Sequence, residues 1–225
     1  MATDRVTQAY GTKAAELADM LGTVVSPQDP DVGVIEPWAE SVSGRILDIG
    51  AGTGRWSGHL AALGHAVEGL EPVERFVEIA RQTHPAVVFR HASLADLVGS
   101  EERWSGILAW YSLIHLGPDA LPTALSTLRE VLEADGSLLV SFFSGPRLEA
   151  IRHPATTAYR WPMQDMVRAI EQAGFEVTDQ QWDPRAPHAN ITALARAPGP
   201  SVDPSNPATD RHRKSGHHAG ALRLG

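Results

Sequence analysis

Residues 45–72 read RILDIGAGTGRWSGHLAALGHAVEGLEP and contain the pattern that decides the fold. The apolar run RILDIG at 45–50 predicts a short strand that ends in glycine, and the helical spacing of Trp56 and Leu60 predicts a helix directly after it. AVEGLEP at 66–72 predicts a second strand. A strand, a glycine-rich turn, a helix and another strand form a βαβ unit, in which the two strands run parallel.

The same alternation continues through the next 70 or so residues, with further apolar strands expected at 86–91, 105–112 and 136–144. Because these runs are almost continuously hydrophobic, we expect a doubly wound, mostly parallel α/β sheet with helices on both faces. Two β-rich runs at 175–184 and 188–197 lie close together in the chain, which predicts an antiparallel hairpin at the sheet edge.

The regions on either side of this alternation differ from it in composition. Residues 1–44 have helical character and no place in the sheet, so we expect them to form an N-terminal helical cap over one end. Residues 45–197 form the Rossmann-like core, and cap and core together make one domain. Residues 198–225 are rich in Pro, Gly and Ser and lack apolar periodicity, which predicts a disordered tail.

Composition excludes several classes of function. The chain has 225 residues and a formal net charge of −8, which argues against a general electrostatic interaction with nucleic acid or with an anionic membrane surface. It has no cysteine, so thiolate–metal sites and a cysteine nucleophile are excluded, and no metal site is expected. No apolar run reaches the roughly 18 residues that span a bilayer, and the N-terminus lacks a signal-peptide pattern. A soluble, cytoplasmic protein is expected.

The glycine loop between the first strand and the first helix is the most informative ligand site. A dinucleotide fingerprint would have its third glycine at position 55, where Arg55 stands, and no lysine follows as in a phosphate-binding P-loop. Asp48 precedes the loop, and its carboxylate would repel a pyrophosphate but attract a cation. Glu71 ends the second strand, where an acid typically accepts hydrogen bonds from the hydroxyls of an adenosine ribose. A ligand with a ribose, a positive charge and no phosphate fits S-adenosylmethionine.

The segment 46–72 resembles the first two motifs of the class I S-adenosylmethionine-dependent methyltransferases, and the likeness continues to about residue 195. The resemblance implies a seven-stranded sheet with an antiparallel final strand. HASLADL at 91–97 resembles the third motif, although Ala92-Ser93 stands where many members have Gly-Asp. AWYSLIHL at 109–116 resembles the fourth motif, which lines the cofactor and the acceptor.

Carried over by position, the resemblance implies a set of cofactor-binding residues. Tyr10 would close over the cofactor, the glycine loop would contact its methionine part, Glu71 would bind the ribose, and Ser93 would bind the adenine. The complete set is Tyr10, Asp48, Gly50, Ala51, Gly52, Thr53, Gly54, Glu71, Ser93, Leu94 and Ala109.

The acceptor is expected to be a small molecule, methylated on an O or N atom by in-line displacement. His115 follows the fourth strand at the ligand edge and is the candidate general base. The candidate acceptor residues lie beside the fourth strand and in the aromatic-rich segment 142–162; they are Tyr111, Phe143, Tyr159, Arg160 and Trp161. Two alternatives stay open, an NAD(P)-dependent oxidoreductase and a non-catalytic S-adenosylmethionine-binding protein. The oligomeric state is not predicted.

Overall fold

A parallel sheet forms the centre of the computed structural model, which describes residues 2–182 and 187–195. The parallel strands lie in the order β3-β2-β1-β4-β5. Their bounds are β1 Ile46–Ile49, β2 Val67–Glu71, β3 Val88–His91, β4 Trp104–Ala109 and β5 Leu132–Ser144. Strand order reverses between β1 and β4, because the chain starts at β1, moves outward to β3 and returns to the other side of β1. Ligands bind at such a reversal point, beyond the carboxyl ends of the strands.

Successive residues of the central strands pack into two different hydrophobic clusters. In β1, Ile46 belongs to one cluster and Leu47 to the other, and the same division separates Ile107 from Leu108 in β4. Side chains alternate across a strand, so the two clusters lie on opposite faces of the sheet. This confirms the prediction of a sheet covered on both faces.

Helices follow the strands as the apolar spacing predicts. Their bounds are α4 Arg55–Ala62, α5 Glu74–Thr83, α6 Leu121–Val131 and α7 Met163–Gln172, with a short 3₁₀ helix at Leu94–Leu97. Leu60 of α4 and Leu128 of α6 are fully buried, one in each cluster.

The sheet has nine strands in the described residues, so the expected number of seven is wrong. The two additional strands are β6 (Glu149–Arg152) and β7 (Thr157–Trp161), an antiparallel hairpin within the segment expected to be an acceptor loop. β7 joins the end of β5 in parallel at Phe143 and Ser144. The predicted edge hairpin is confirmed: β8 (Phe175–Trp182) pairs with β9 (His188–Ala195), which pairs antiparallel with β5.

The N-terminal region contains three helices: α1 Ala2–Thr12, α2 Ala14–Leu21 and α3 Val32–Ser41. The apolar face of α2 packs against Val73 and Phe76 at the start of α5, at the end of the sheet where ligands bind. In contrast, α3 packs on a face of the sheet through Trp38, whose Nε1 donates to Ser137 Oγ at 2.8 Å. The division into 1–44, 45–197 and 198–225 stays a prediction, and the last range lies outside the described residues.

No helix within the described ranges is long and apolar enough to cross a membrane.

Candidate functional site

A cavity of about 380 Å³ opens at the carboxyl ends of β1, β2 and β4. One side, which we call the loop half, is formed by Asp48, the loop residues 50–53 and Glu71. The opposite side, which we call the aromatic half, is formed by Trp110, Tyr111, His115, Phe143, His153 and His188. Helices α1 and α2 cover the cavity with residues that include Tyr10, Leu17 and Met20.

The glycine loop turns because its glycines adopt left-handed backbone angles. Gly50, Gly52 and Gly54 have φ values of 69°, 57° and 79°. A Cβ atom on Gly50 would lie 2.6 Å from Ser112 Cβ, whereas one on Gly52 would meet nothing within 4 Å. Gly52 therefore leaves open space beside the cavity, which is where a ligand can approach the backbone.

Gly54 differs from the other two glycines of the loop in what surrounds it. It does not line the cavity, and a Cβ atom there would lie 2.7 Å from Phe89 Cζ and 2.9 Å from Ala80 Cβ. Gly54 thus allows close packing of the loop against β3 and α5. Its expected contact with the cofactor stays a prediction.

Glu71 links the end of β2 to the glycine loop. Its Oε2 accepts a hydrogen bond from the Gly52 N–H and its Oε1 accepts one from the Val73 N–H, both at 2.8 Å. Burial raises the pKa of this carboxyl to about 7, despite these two bonds. Each oxygen has a second lone pair, so the carboxylate can still accept two ligand hydroxyls.

Asp48 is the second buried carboxyl of the loop half. It accepts a hydrogen bond from Ser57 Oγ at 2.6 Å, and burial raises its pKa to about 6. Two buried carboxyls of raised pKa in one cavity are a common feature of functional sites. A ligand with a positive charge and several hydroxyls would stabilise both in their ionised form.

His115 lies between Tyr10 and the β6–β7 hairpin. Its Nδ1 lies 2.7 Å from the Thr157 carbonyl oxygen, which can only accept, so Nδ1 carries the proton. The lone pair is therefore on Nε2, which accepts from Tyr10 Oη at 2.8 Å. Burial lowers the pKa of His115 and raises that of Tyr10 to about 12. Both groups are neutral near pH 7.

Tyr111 organises the rest of the aromatic half. It has a left-handed backbone with a φ of 53°, which is rare for a residue other than glycine and occurs most often at functional sites. Its N–H donates to Ser141 Oγ at 2.8 Å, and its Oη lies 2.7 Å from His188 Nδ1. The ring stacks at a tilt on Phe143, with centroids 5.5 Å apart.

Besides Gly54, six residues expected at the site do not line this cavity: Ser93, Leu94, Ala109, Tyr159, Arg160 and Trp161. The N–H and hydroxyl of Ser93 both donate to Asp96 at the start of the 3₁₀ helix, and Ala109 is fully buried in the core. The three residues of β7 are also used structurally. Tyr159 packs closely against Gly117, Arg160 pairs with Glu149, and Trp161 is buried in the core.

Several lining residues were not identified in the sequence analysis; these are Asp31, Trp110, Ser112, His153 and His188 among others. Trp110 and Ser112 flank Tyr111 in the fourth motif, so their position in the chain could have indicated them. Asp31 and His188 come from a loop before α3 and from β9, and no local pattern marks either of them. No group of three or more His, Asp or Glu side chains in the described part of the chain is arranged to hold a metal ion.

Comparison with known proteins shows what part of the chain is similar to. The family model described as "Methyltransferase domain" matches residues 46–136, which include the glycine loop, Glu71 and His115. Over this range the chain resembles methyltransferases that use S-adenosylmethionine. The resemblance stated from residues 46–72 is thereby confirmed.

Two curated methyltransferases are similar to this chain over about half of their length. A dTDP-3-amino-3,6-dideoxy-alpha-D-glucopyranose N,N-dimethyltransferase of Streptomyces fradiae is 29% identical over 137 residues, covering 58% of this chain and 53% of that protein. An uncharacterized methyltransferase of Staphylococcus carnosus is 28% identical over 102 residues, covering 45% and 48%. The chain spans about half the length of the curated relatives it matches.

Solved methyltransferase structures share the fold. The 1,6-didemethyltoxoflavin-N1-methyltransferase of Burkholderia thailandensis has a TM-score of 0.71 at 22% identity, covering 87% of this chain and 89% of that one. The magnesium protoporphyrin IX methyltransferase of Synechocystis PCC 6803 has a TM-score of 0.69 at 17% identity, covering 88% and 98%. This likeness confirms the predicted Rossmann-like fold.

Proposed function

We propose that the protein transfers a methyl group from S-adenosylmethionine to an O or N atom of a small molecule. The observation that carries this proposal is the loop half of the cavity. Its two buried carboxyls, Asp48 and Glu71, surround a glycine loop whose backbone is open to a ligand at Gly52.

The loop half fits the cofactor by the chemistry of its groups. Glu71 offers one free lone pair on each carboxylate oxygen, which suits the two adjacent hydroxyls of a ribose. Asp48 adds negative charge on the same side, which suits the ammonium and sulfonium groups of the cofactor. The loop has neither the P-loop lysine nor the third glycine of a dinucleotide site, and the Asp48 carboxylate before it would repel a pyrophosphate.

Bound S-adenosylmethionine supplies a methyl group already activated by the positive sulfur. The contribution required of the protein is then alignment of the acceptor with that methyl group and exclusion of water. We assign alignment to Tyr111 and Phe143 of the aromatic half, and exclusion of water to α1 and α2 with Tyr10.

His115 is the proposed proton acceptor for a nucleophile that is protonated at neutral pH. Its lone pair is on Nε2, and its lowered pKa keeps that nitrogen unprotonated at pH 7. Tyr10 occupies Nε2 in the structure, so the acceptor replaces the Tyr10 hydroxyl there or donates its proton to Nε2 through that hydroxyl.

The partners, the location in the cell and the cofactor-binding residues are also part of the proposal. We propose that neither nucleic acid nor a membrane is a partner of the protein, and that the protein acts in the cytoplasm. The set of cofactor-binding residues is Tyr10, Asp48, Gly50, Ala51, Gly52, Thr53 and Glu71, all of which line the cavity.

Calorimetry with S-adenosylmethionine, S-adenosylhomocysteine and NAD tests the proposal directly. We expect both sulfur compounds to bind and NAD to give no heat. At 100 times its dissociation constant, S-adenosylhomocysteine should raise the free energy of unfolding by about 2.7 kcal/mol. Binding of NAD alone would favour an oxidoreductase. Binding of the sulfur compounds without methylation of any molecule in a broad acceptor screen would favour a non-catalytic binding protein.

A further inference from the structure

We propose that Asp31 is the anchor for a protonated amine of the acceptor, and that the acceptor is therefore a small organic amine. This inference rests on the proposed function, since it names the class of molecule that the aromatic half receives. It is carried by four features of Asp31: the orientation of its side chain, its lack of a cationic partner, its aromatic surroundings and its position between two cavities.

The Asp31 side chain is directed to the cavity and not to its own helix. Asp31 is the residue before α3, a position where an aspartate commonly accepts a hydrogen bond from the first turn of the helix. Here it makes no such bond. Its Oδ2 instead accepts from Trp110 Nε1 at 2.8 Å, and its own N–H donates to Asp29 Oδ1 at 3.0 Å.

The charge of Asp31 has no ion-pair partner among the described side chains. The nearby guanidinium of Arg55 pairs with Asp29 and donates to the Leu21 carbonyl oxygen. Burial is the largest influence on the pKa of Asp31, which is raised although Trp110, Arg55 and His188 all favour the charged form; Asp29 opposes them. Partial withdrawal of a carboxylate from water without a cation carries a free-energy cost, and a cationic ligand reduces that cost.

The groups around Asp31 are suited to an organic cation. Trp110 and Tyr111 stand edge to face, with ring centroids 5.8 Å apart, and Trp182 lies nearby with 58% of its surface exposed. Aromatic faces attract cations through their quadrupole, and a nearby carboxylate adds to that attraction.

Asp31 lies where the main cavity meets a second one of about 290 Å³. The two cavities share Asp31, Trp110, Tyr111 and His188, and the second has no residue of the glycine loop in its lining. Asn190 also lines the second cavity, and its Oδ1 is buried without a hydrogen-bond partner. An ammonium group has three N–H donors, so an amine at this junction has more than one acceptor within the same region.

The test compares an amine with its neutral counterpart, because the natural acceptor is not needed for it. Tryptamine and indole-3-ethanol differ only in carrying an ammonium or a hydroxyl group on the same planar body. Calorimetry is performed on the full chain saturated with S-adenosylhomocysteine. We expect tryptamine to bind at least tenfold more tightly than indole-3-ethanol.

The matched variant is Asp31→Asn, whose amide oxygen can still accept from Trp110 Nε1. We expect it to reduce tryptamine affinity at least tenfold, leave indole-3-ethanol affinity unchanged and keep S-adenosylhomocysteine affinity within twofold. The control is Glu36→Gln, which removes a charge from α3, the helix that begins directly after Asp31. Glu36 does not line the cavity, so this change should alter none of the three affinities.

Three results would overturn the role of Asp31: equal affinities for the two indoles, no binding of either, or a preference that persists in Asp31→Asn. Loss of S-adenosylhomocysteine affinity in Asp31→Asn would also overturn it, since the residue would then be structural. Failure of the wild-type protein to bind S-adenosylhomocysteine would contradict the proposed function itself, and the two failures are therefore distinguishable.

Discussion

The two halves of the cavity differ in how the chain builds them. The loop half comes from β1, the turn after it and the end of β2, which belong to one βαβ unit with only α4 and its connection to β2 between them. The aromatic half collects Tyr111 after β4, Phe143 from β5, His153 from the β6–β7 turn and His188 from β9. The first half depends on one local βαβ unit, whereas the second exists only when the whole sheet has assembled.

The halves also differ in their titratable groups. In the loop half, burial raises the pKa of Glu71 to about 7 and that of Asp48 to about 6. In the aromatic half, burial lowers the pKa of His115 and His153. Burial favours the neutral form in both cases, which is a protonated carboxyl in the loop half and an unprotonated imidazole in the aromatic half. A cationic ligand would therefore stabilise the ionised form of the carboxyls but not that of the two histidines. We therefore assign binding of the cofactor mainly to the loop half and alignment of the acceptor to the aromatic half.

Of the changes proposed, replacement of His115 should have the largest effect. This effect should be on kcat and not on the affinity for the cofactor. We expect His115→Ala to lower kcat by roughly 10²- to 10⁴-fold while the affinity for S-adenosylmethionine stays within about twofold. The loss should shrink at high pH, where the acceptor loses its proton without help. The measurement is steady-state kinetics from pH 6 to 9, with calorimetry for affinity.

A wild-type rate that falls only below pH 6.5 would agree with the lowered pKa of His115. Full activity in a stable His115→Ala protein would remove His115 from the mechanism and leave alignment as its basis. A loss that is the same at every pH would indicate positioning of the acceptor.

Substitutions at two loop glycines should differ in how much they destabilise the protein, because one glycine is closely packed and the other faces open space. Gly54→Ala places a Cβ at a φ of 79° and 2.7 Å from Phe89, so we expect the free energy of unfolding to fall by about 2–5 kcal/mol. Gly52→Ala has the same backbone cost but meets no atom within 4 Å, so about 1–2 kcal/mol is expected. Urea unfolding measures both. Equal losses would mean that the packing of Gly54 against Phe89 is unimportant.

Glu71→Ala should weaken cofactor binding more than any other single change in the loop half. The loss of a charged acceptor for two ribose hydroxyls is expected to cost roughly 1.5–3 kcal/mol. Glu74→Gln, an exposed change three residues further along the chain, is the matched control and should have no effect. Calorimetry measures both, and unchanged affinity in a folded Glu71→Ala protein would move the ribose contact elsewhere.

The pH dependence of cofactor binding should reflect the carboxyls of the loop half. Glu71 has a pKa of about 7, so a cationic ligand binds most tightly above that pH, where the carboxylate is already ionised. Below it, affinity should fall by at most about tenfold for each pH unit, because a proton must first be released. Calorimetry between pH 5.5 and 8.5 checks this, and a flat profile would mean that the ligand does not interact with Glu71.

The stability of the ligand-free protein should change with pH in the opposite direction. A carboxyl whose pKa is raised by folding binds its proton more tightly in the folded state. The contribution of Glu71 is therefore fully present below its ordinary value of 4.5 and is lost as the pH rises toward 7. Glu71→Gln should therefore remove the Glu71 contribution to the decrease in the free energy of unfolding between pH 4.5 and 7. Urea unfolding of both proteins at several pH values measures this difference.

The βαβ unit was predictable because its chemistry is local. Asp48, Gly50 and Glu71 follow strand ends at fixed spacing, and parallel strands bring those ends to one edge. The same reasoning was wrong for the strand count, since a short run such as 149–152 has no strong pattern of its own and becomes a strand only beside β7. It also did not identify Asp31, which lies directly before α3, or His188, which is the first residue of β9.

By itself, the sequence determined the parallel core, the glycine loop and the two carboxyls beside it, because hydrophobic periodicity and turn chemistry act between residues that are near in the chain. Only the tertiary structure decided that Gly54 packs against Phe89 and Gly52 stays open, and that His115 carries its proton on Nδ1. It also decided that Asp31 faces the cavity with no ion-pair partner among the residues that the structure describes. These features depend on contacts between segments far apart in the chain. Their hydrogen bonds, burial and charges exist only after the sheet has brought those segments together.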